Sequence, residues 1–211
     1  MKRRTLDFIF SVGGLLLAGL LAILGFVMKD NADFAKSYVQ KELIAQKIDF
    51  KSADTLTDDE KKADCLIKYA GSHLDSGKKA ECYANEFIAL HLAEGTAKAN
   101  LPGATYATLG GEAAKANKAV TDAKDAGKPT DELQKTADSI KGLRETAFKG
   151  ETLRGLLLTT FGFSEFGVKA SQAETVMFLV ALVLLLASIA GCVHALTTSK
   201  ETIVHATDHH S

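Results

Sequence analysis

The chain has 211 residues, with 25 Lys and Arg against 26 Asp and Glu and a formal net charge of −1. So even a balance excludes the concentrated cationic excess that binding a phosphate backbone requires, and nucleic acid is not an expected partner. Ala, Lys, Glu and Asp crowd the polar middle and only 2 prolines interrupt the chain, which favours helix throughout.

The average composition conceals two very apolar segments on either side of that polar middle. After Lys2, Arg3 and Arg4, the run from Phe8 to Val27, FIFSVGGLLLAGLLAILGFV, carries no charge. A helix of about 20 residues rising ~1.5 Å per residue crosses the roughly 30 Å hydrocarbon core, where only its own hydrogen bonds satisfy the backbone. Positive charge beside a span stays in the cytoplasm, so residues 1–7 are expected inside and residues 8–28 form the first transmembrane helix. A cleaved signal peptide is the competing reading; the length of the apolar run and the lack of an A-x-A site after it argue against that. Gly14, Ala18 and Ala22 recur every fourth residue. Such a stripe lets helices approach closely in lipid, unless it reflects only how common Gly and Ala are in membrane helices.

Beyond the span no breaker precedes Asp49. NADFAKSYVQKELIAQKIDF sets Phe34, Tyr38, Val39 and Ile44 among lysines and acids, so the helix is expected to continue out of the membrane. DFKSADTL reads as a short loop. Thr57 and Glu60 stand at capping-box spacing, which predicts a helix that starts near Asp58, carries Cys65, Leu66 and Tyr69, and stops at Gly71. The next helix is expected over Lys78–Glu94, ended by Gly95, with Cys82, Phe87 and Leu90 turned towards its predecessor. Cys65 and Cys82 would then meet across the hairpin and pair in an oxidising compartment. A bridge around a loop of that size stabilises a fold by about 3 kcal/mol in the chain-entropy model. Two separate buried thiols are the alternative, and a zinc set would need a nearby pair of histidines.

Gly, Pro and Thr mark Asn100 to Gly111 as a loop. Glu112 to Ala126 reads as a helix that buries little, one arm of an outer hairpin. GKPT turns the chain and Asp131 is placed to cap the return helix. On that helix Leu133, Ala137, Ile140, Leu143 and Ala147 recur at three- and four-residue steps as a packing seam. No stretch alternates as a strand does. FKGETLRGLLLTTFGFSEFG, from Phe148 to Gly167, is the most apolar piece outside the spans. Residues 148–172 are therefore expected either to lie at the membrane surface or to meet a partner, through Lys149, Arg154, Phe161, Phe163 and Phe166.

TVMFLVALVLLLASIAGCVHAL, from Thr175 to Leu196, is the second span, placed at residues 173–197. Ala187, Gly191 and Ala195 form its small-residue stripe, and His194 is an ionisable group near its inner end. Residues 198–211 are then a cytoplasmic tail whose His205, Asp208, His209 and His210 are a weak candidate metal cluster. The expected fold is an all-α membrane protein, two transmembrane helices joined by a long extracytoplasmic helical domain at residues 29–147.

MKRRTLDFIFSVGG, ECYANEFIALHL, TYATLG and, most distinctively, FKGETLRGLLL carry a likeness that runs end to end. The chain resembles a family of two-span actinobacterial membrane proteins, some of whose members are labelled aromatic ring-opening dioxygenases. That family is similar to the respiratory supercomplex association factors that accompany the cytochrome bcc and aa3 oxidases of mycobacteria. The resemblance implies an accessory subunit of a membrane assembly, with bcc and aa3 oxidase components as its partners; the two spans themselves place it in the plasma membrane, with lipid as a further partner.

The dioxygenase label can be tested against residues. Non-haem iron oxygen chemistry calls for a 2-His-1-carboxylate set or its equivalent, and only His73 and His91 lie in the middle domain. There is no C-x-x-C-H, Walker loop or G-x-S-x-G. No catalytic residue or cofactor is assigned, and a structural or assembly subunit rather than an enzyme is the first expectation. The alternative is an extracytoplasmic ligand-binding sensor, which would have to signal through a separate cytoplasmic partner because the segment after Ser199 is too short for an output domain.

Overall fold

The computed structural model describes residues 2–199. Apart from an isolated antiparallel bridge between Asp49 and His73, its regular structure among those residues is helical. Two helices dominate, α1 (Arg3–Ala45) and α6 (Asp131–Thr197). Between them lie α2 (Asp64–Tyr69), α3 (Gly77–Cys82), α4 (Ala89–Lys98) and α5 (Tyr106–Asp125). The chain divides into two compact units, one comprising residues up to Lys36 and from Phe166 onward, the other Ser37–Glu165.

In the first unit α1 and α6 run antiparallel. Both are long and apolar enough to cross a membrane, and only 17% and 11% of their apolar windows are buried. The core helix of a soluble protein would bury most of such a window; here Phe10, Leu16, Val183 and Leu196 point outward. The contact between the helices follows a three-four alternation. Ser11, Gly14, Ala18, Leu21, Gly25, Ala32 and Ala35 on α1 are buried or half-buried, as are Gly167, Met177, Ala181, Leu184, Ser188, Gly191 and Ala195 on α6. A 3.5-residue repeat keeps one seam facing its partner, the geometry of a left-handed helical pair.

That repeat explains how the predicted stripes fare. Gly14, Ala18, Gly191 and Ala195 lie on the seam, Ala22 sits half-buried at its flank, and Ala187 is exposed. A row of every fourth residue drifts off a 3.5-residue seam, so the position next to Ala187 goes to Ser188, which is buried. A Cβ on Gly14 would overlap the Ser188 hydroxyl, and one on Gly191 the Ser11 hydroxyl. Gly25 lies under the Phe178 ring and Gly167 against the Ala35 methyl. Gly14, Ala18, Gly191 and Ala195 thus lie on the contact between the two helices of one chain, where the glycines receive the serines Ser188 and Ser11, whereas Ala187 does not.

The second unit gathers a core of Val39 and Leu43 from α1, Phe50, Leu66, Leu74, Ala80, Cys82, Ala84, Ile88 and Leu157. Cys65 and Cys82 lie at disulfide distance, their Cα atoms 6.1 Å apart, and join α2 to α3. The reciprocal capping bonds at Thr57 and Glu60 form, but on a 3-10 turn (Glu60–Lys62) and not at the head of a long helix. Ala63 then turns extended before α2, which ends short of Gly71, whose φ is +69°. The expected helix over Lys78–Glu94 is a run of α3, a π-helical segment (Tyr83–Ile88) and α4. It passes through Gly95 and ends at Lys98, because Asn100, not Gly95, takes the left-handed conformation, with φ 57°.

Helix α5 likewise starts earlier than expected. Thr105 and Thr108 exchange side-chain to backbone bonds, so the cap falls inside the predicted loop and Gly110 and Gly111 are helical. At the start of α6 Asp131 lies in the first turn and so meets the positive end of the helix dipole. The seam on α6 is occupied as its spacing suggests, with Ala137 and Ala147 buried and Leu133, Ile140 and Leu143 half-buried. No break separates residues 148–172 from the second span: Gly150, Gly155, Gly162 and Gly167 are all interior to α6. Gly150 is where α6 comes close to α4, since a Cβ there would sit 2.7 Å from Leu92 Cδ2.

Candidate functional site

The chemistry of the second unit centres on one buried acid. Glu60 has no exposed surface. Its Oε1 accepts from Lys51 Nζ at 2.7 Å and its Oε2 from the Thr57 N–H at 2.7 Å. His91 Nε2 lies 3.4 Å from Oε1, while the other ring nitrogen, Nδ1, is 2.7 Å from the Phe87 carbonyl. Burial pushes the Glu60 carboxyl up, but the Lys51 ammonium and the Thr57 bonds outweigh it and hold the group below its ordinary range. From His91 beside this acid, edge and tilted ring contacts run to Phe87, from Phe87 to Tyr83, from Tyr83 to Phe50 and from Phe50 to Tyr69. The π-helical segment supplies Tyr83, which meets Phe50, and Phe87, which meets Tyr83 and His91. Such segments are frequent at functional sites; this one is linked to the buried acid through Phe87, whose ring meets His91 and whose carbonyl lies beside His91 Nδ1.

Arg154 belongs to the same construction. Its Nε donates to the Ala84 carbonyl at 3.0 Å, within the π-helical segment, and NH1 is paired with Glu151. Predicted as a contact for headgroups or a partner, it instead ties α6 to the π-helical turn. Phe161 is also turned inward, half-buried under Lys78 with the ammonium 4.5 Å from its ring centre. Lys78 in turn pairs with Glu81 and Glu165. Two of the five predicted contact residues are therefore internal.

What remains outward is a stripe along one side of α6. Lys149, Leu153, Leu156 and Phe163 lie on it, with half-buried Thr160 completing the three- and four-residue steps, and Leu153, Leu156 and Phe163 are respectively 37%, 61% and 39% exposed. Phe163 meets the Tyr38 ring edge-on at 6.2 Å, which extends the apolar surface onto α1. In the first unit Phe166 is 75% exposed.

At the other end of the span pair, Asp7 Oδ2 lies 3.0 Å from His194 Nδ1, beside Ser11 and Ser188. Sequence reasoning singled out His194 but not Asp7, because the acid precedes the apolar run. His73 pairs with Asp49 across the isolated bridge. Among the described residues no three His, Cys, Asp or Glu side chains are grouped as a metal site requires. The tail histidines His205, His209 and His210, with Asp208, lie outside the described residues. Comparison of the chain with known protein families, with curated proteins and with solved structures finds no match.

Proposed function

We propose that this chain is a non-catalytic accessory or assembly subunit of a larger membrane complex. The observation that carries the reading is the apolar stripe of Leu153, Leu156 and Phe163, which α6 leaves outward while the helix's other face is packed. Exposed apolar surface of this kind marks a protein contact, and the span pair, its seam already filled, offers its large outward side chains to lipid or to neighbouring spans. Lys2, Arg3 and Arg4 set both termini in the cytoplasm and the middle domain outside, where Cys65 and Cys82 are oxidised. The end-to-end resemblance to two-span actinobacterial proteins names the cytochrome bcc–aa3 supercomplex as the assembly to test first.

The test is a mild-detergent pull-down from the native membrane, with the visible spectrum of the eluate recorded. Near-stoichiometric recovery of haem-bearing subunits is expected, and Leu156→Glu should lower that recovery while leaving the protein in the membrane. Recovery of the protein alone, colourless and monodisperse, would refute the reading. A receptor of soluble ligands is the second reading, and the cleft between α5 and α6 is the observation that favours it.

A further inference from the structure

Helices α5 and α6 enclose a cleft of about 470 Å³, within the range of small-molecule sites. Its walls are both aromatic and cationic: the rings of Tyr106 and Phe148, 5.3 Å apart, stand beside Lys141, Arg144 and Lys149. The three cations fall at positions i, i+3 and i+8 of one helix and so converge on one side of α6. None makes an ion pair with a described residue, although neighbouring lysines such as Lys115, Lys118 and Lys135 each have an acid within salt-bridge distance.

Arg144 is the unusual member. Its guanidinium carbon lies over Tyr106, 4.3 Å from the ring centre, and its Nε is buried without a hydrogen-bond partner. A buried donor of a charged group left without an acceptor is costly, and ring stacking replaces only part of what water supplied. The planar fork of a guanidinium is the group that recognises a carboxylate or phosphate two-pronged, and contact with the ring restricts where it sits. Two acids also line the cleft. Asp138 already accepts from Gln134 at 3.0 Å, and Glu145 stands on the same helix as the cations. Three positive charges against two negative ones suit a ligand with one anionic group and an apolar or aromatic body, not a polyanion.

We infer that the α5–α6 cleft binds a small amphipathic anion, its phosphate or carboxylate held by Arg144 with Lys141 and Lys149 and its apolar part against Tyr106 and Phe148. The inference holds whether the chain is a subunit or a receptor. Free amphiphiles and anionic lipid headgroups share this chemistry, and calorimetry can separate them. The full chain in phosphatidylcholine nanodiscs would be titrated with phenyl phosphate and with dihexanoyl phosphatidate. Saturable binding of either is expected, weakened about ten-fold or more by Arg144→Met, the loss due to a charge-assisted contact. Phenyl phosphate alone would indicate a free ligand, and the phosphatidate alone a lipid. Should Arg144→Met disturb the fold, Lys141→Met with Lys149→Met, both at exposed positions, must weaken binding several-fold instead. Absence of binding by both probes, or equal affinity in variants that fold, overturns the proposal.

Discussion

Replacing Lys51 by Met should destabilise the middle domain by about 3 kcal/mol, because it leaves the Glu60 carboxylate buried with the Thr57 N–H as its main remaining donor. That figure is at the lower end for a broken buried pair, since the Lys51 side chain is 35% exposed and water screens part of its attraction. In a domain of this size the loss corresponds to a fall of roughly 10 °C in melting temperature. Glu60→Gln keeps an acceptor for Thr57 but gives up the charge, so the double variant should lose less than the sum of the single ones. The chain has no Trp, so near-ultraviolet circular dichroism reports its tyrosines, and Tyr69 and Tyr83 both touch Phe50 in the cluster. Unfolding of the full chain would be followed there, in detergent. Acid supplies a second arm. A carboxyl held low when folded contributes stability that is present above its unfolded value, about 4.3, and lost as pH falls through the folded one. Wild type should therefore lose more stability than Glu60→Gln between neutral pH and that acid window. Equal acid slopes, together with a Lys51→Met melt indistinguishable from wild type, would refute the assignment of Glu60 as the buried, ionised centre of the fold.

Thiol counting by alkylation under denaturing conditions should find Cys192 alone before reduction and all 3 cysteines after it. Replacing both Cys65 and Cys82 by Ser should cost about 3 kcal/mol, the loop-closure value for a bridge of this span. Arg154→Met removes the bond to the Ala84 carbonyl and should cost about 1–2 kcal/mol in the same tyrosine-detected melt; no change would show that water replaces the guanidinium there.

The two apolar helices were legible in the sequence because length and uncharged composition alone specify them. So were the cysteine pair, through two helices whose facing positions coincided, and the α6 seam, through its spacing. Helix ends were less so. Thr57 and Glu60 have the spacing of a capping box, but the same reciprocal bonds close a 3-10 turn, and the extended Ala63 after it separates that turn from α2. Gly95 read as a stop because glycine tolerates the left-handed conformation, yet tolerance is not requirement, and the turn came at Asn100. Arg154 and Phe161 sat in an apolar, glycine-punctuated segment that resembled surface. Only the three-dimensional position of Ala84 and Lys78 shows them to be internal. The Asp7–His194 pair joins residues from opposite ends of the chain, and no local pattern predicts such a pair.

The span seam raises the question of what sets its register. Ser11 Oγ donates to the Asp7 carbonyl in its own helix at 2.7 Å, so its polar atom is satisfied without the partner helix and the side chain acts on α6 as a small knob. It fills the notch at Gly191, and Ser188 fills the one at Gly14. A slip of one heptad would set Leu21 against the Ser188 knob, Ala18 against Gly191 and Ala195 against Gly14, so two side chains collide while both notches are underfilled. The register is thus fixed by shape, and the Asp7–His194 pair follows from it. Gly14→Leu should accordingly destabilise the pair by about 1–3 kcal/mol, as overpacking does. Gly13→Leu, at a position with nothing within 4 Å, should be neutral. Asp7→Asn should leave the helices paired. Loss of helical content on titration with sodium dodecyl sulfate reads all three. Equal sensitivity of Gly13→Leu and Gly14→Leu, or a loss with Asp7→Asn as large as that with Gly14→Leu, would show that shape does not set the register.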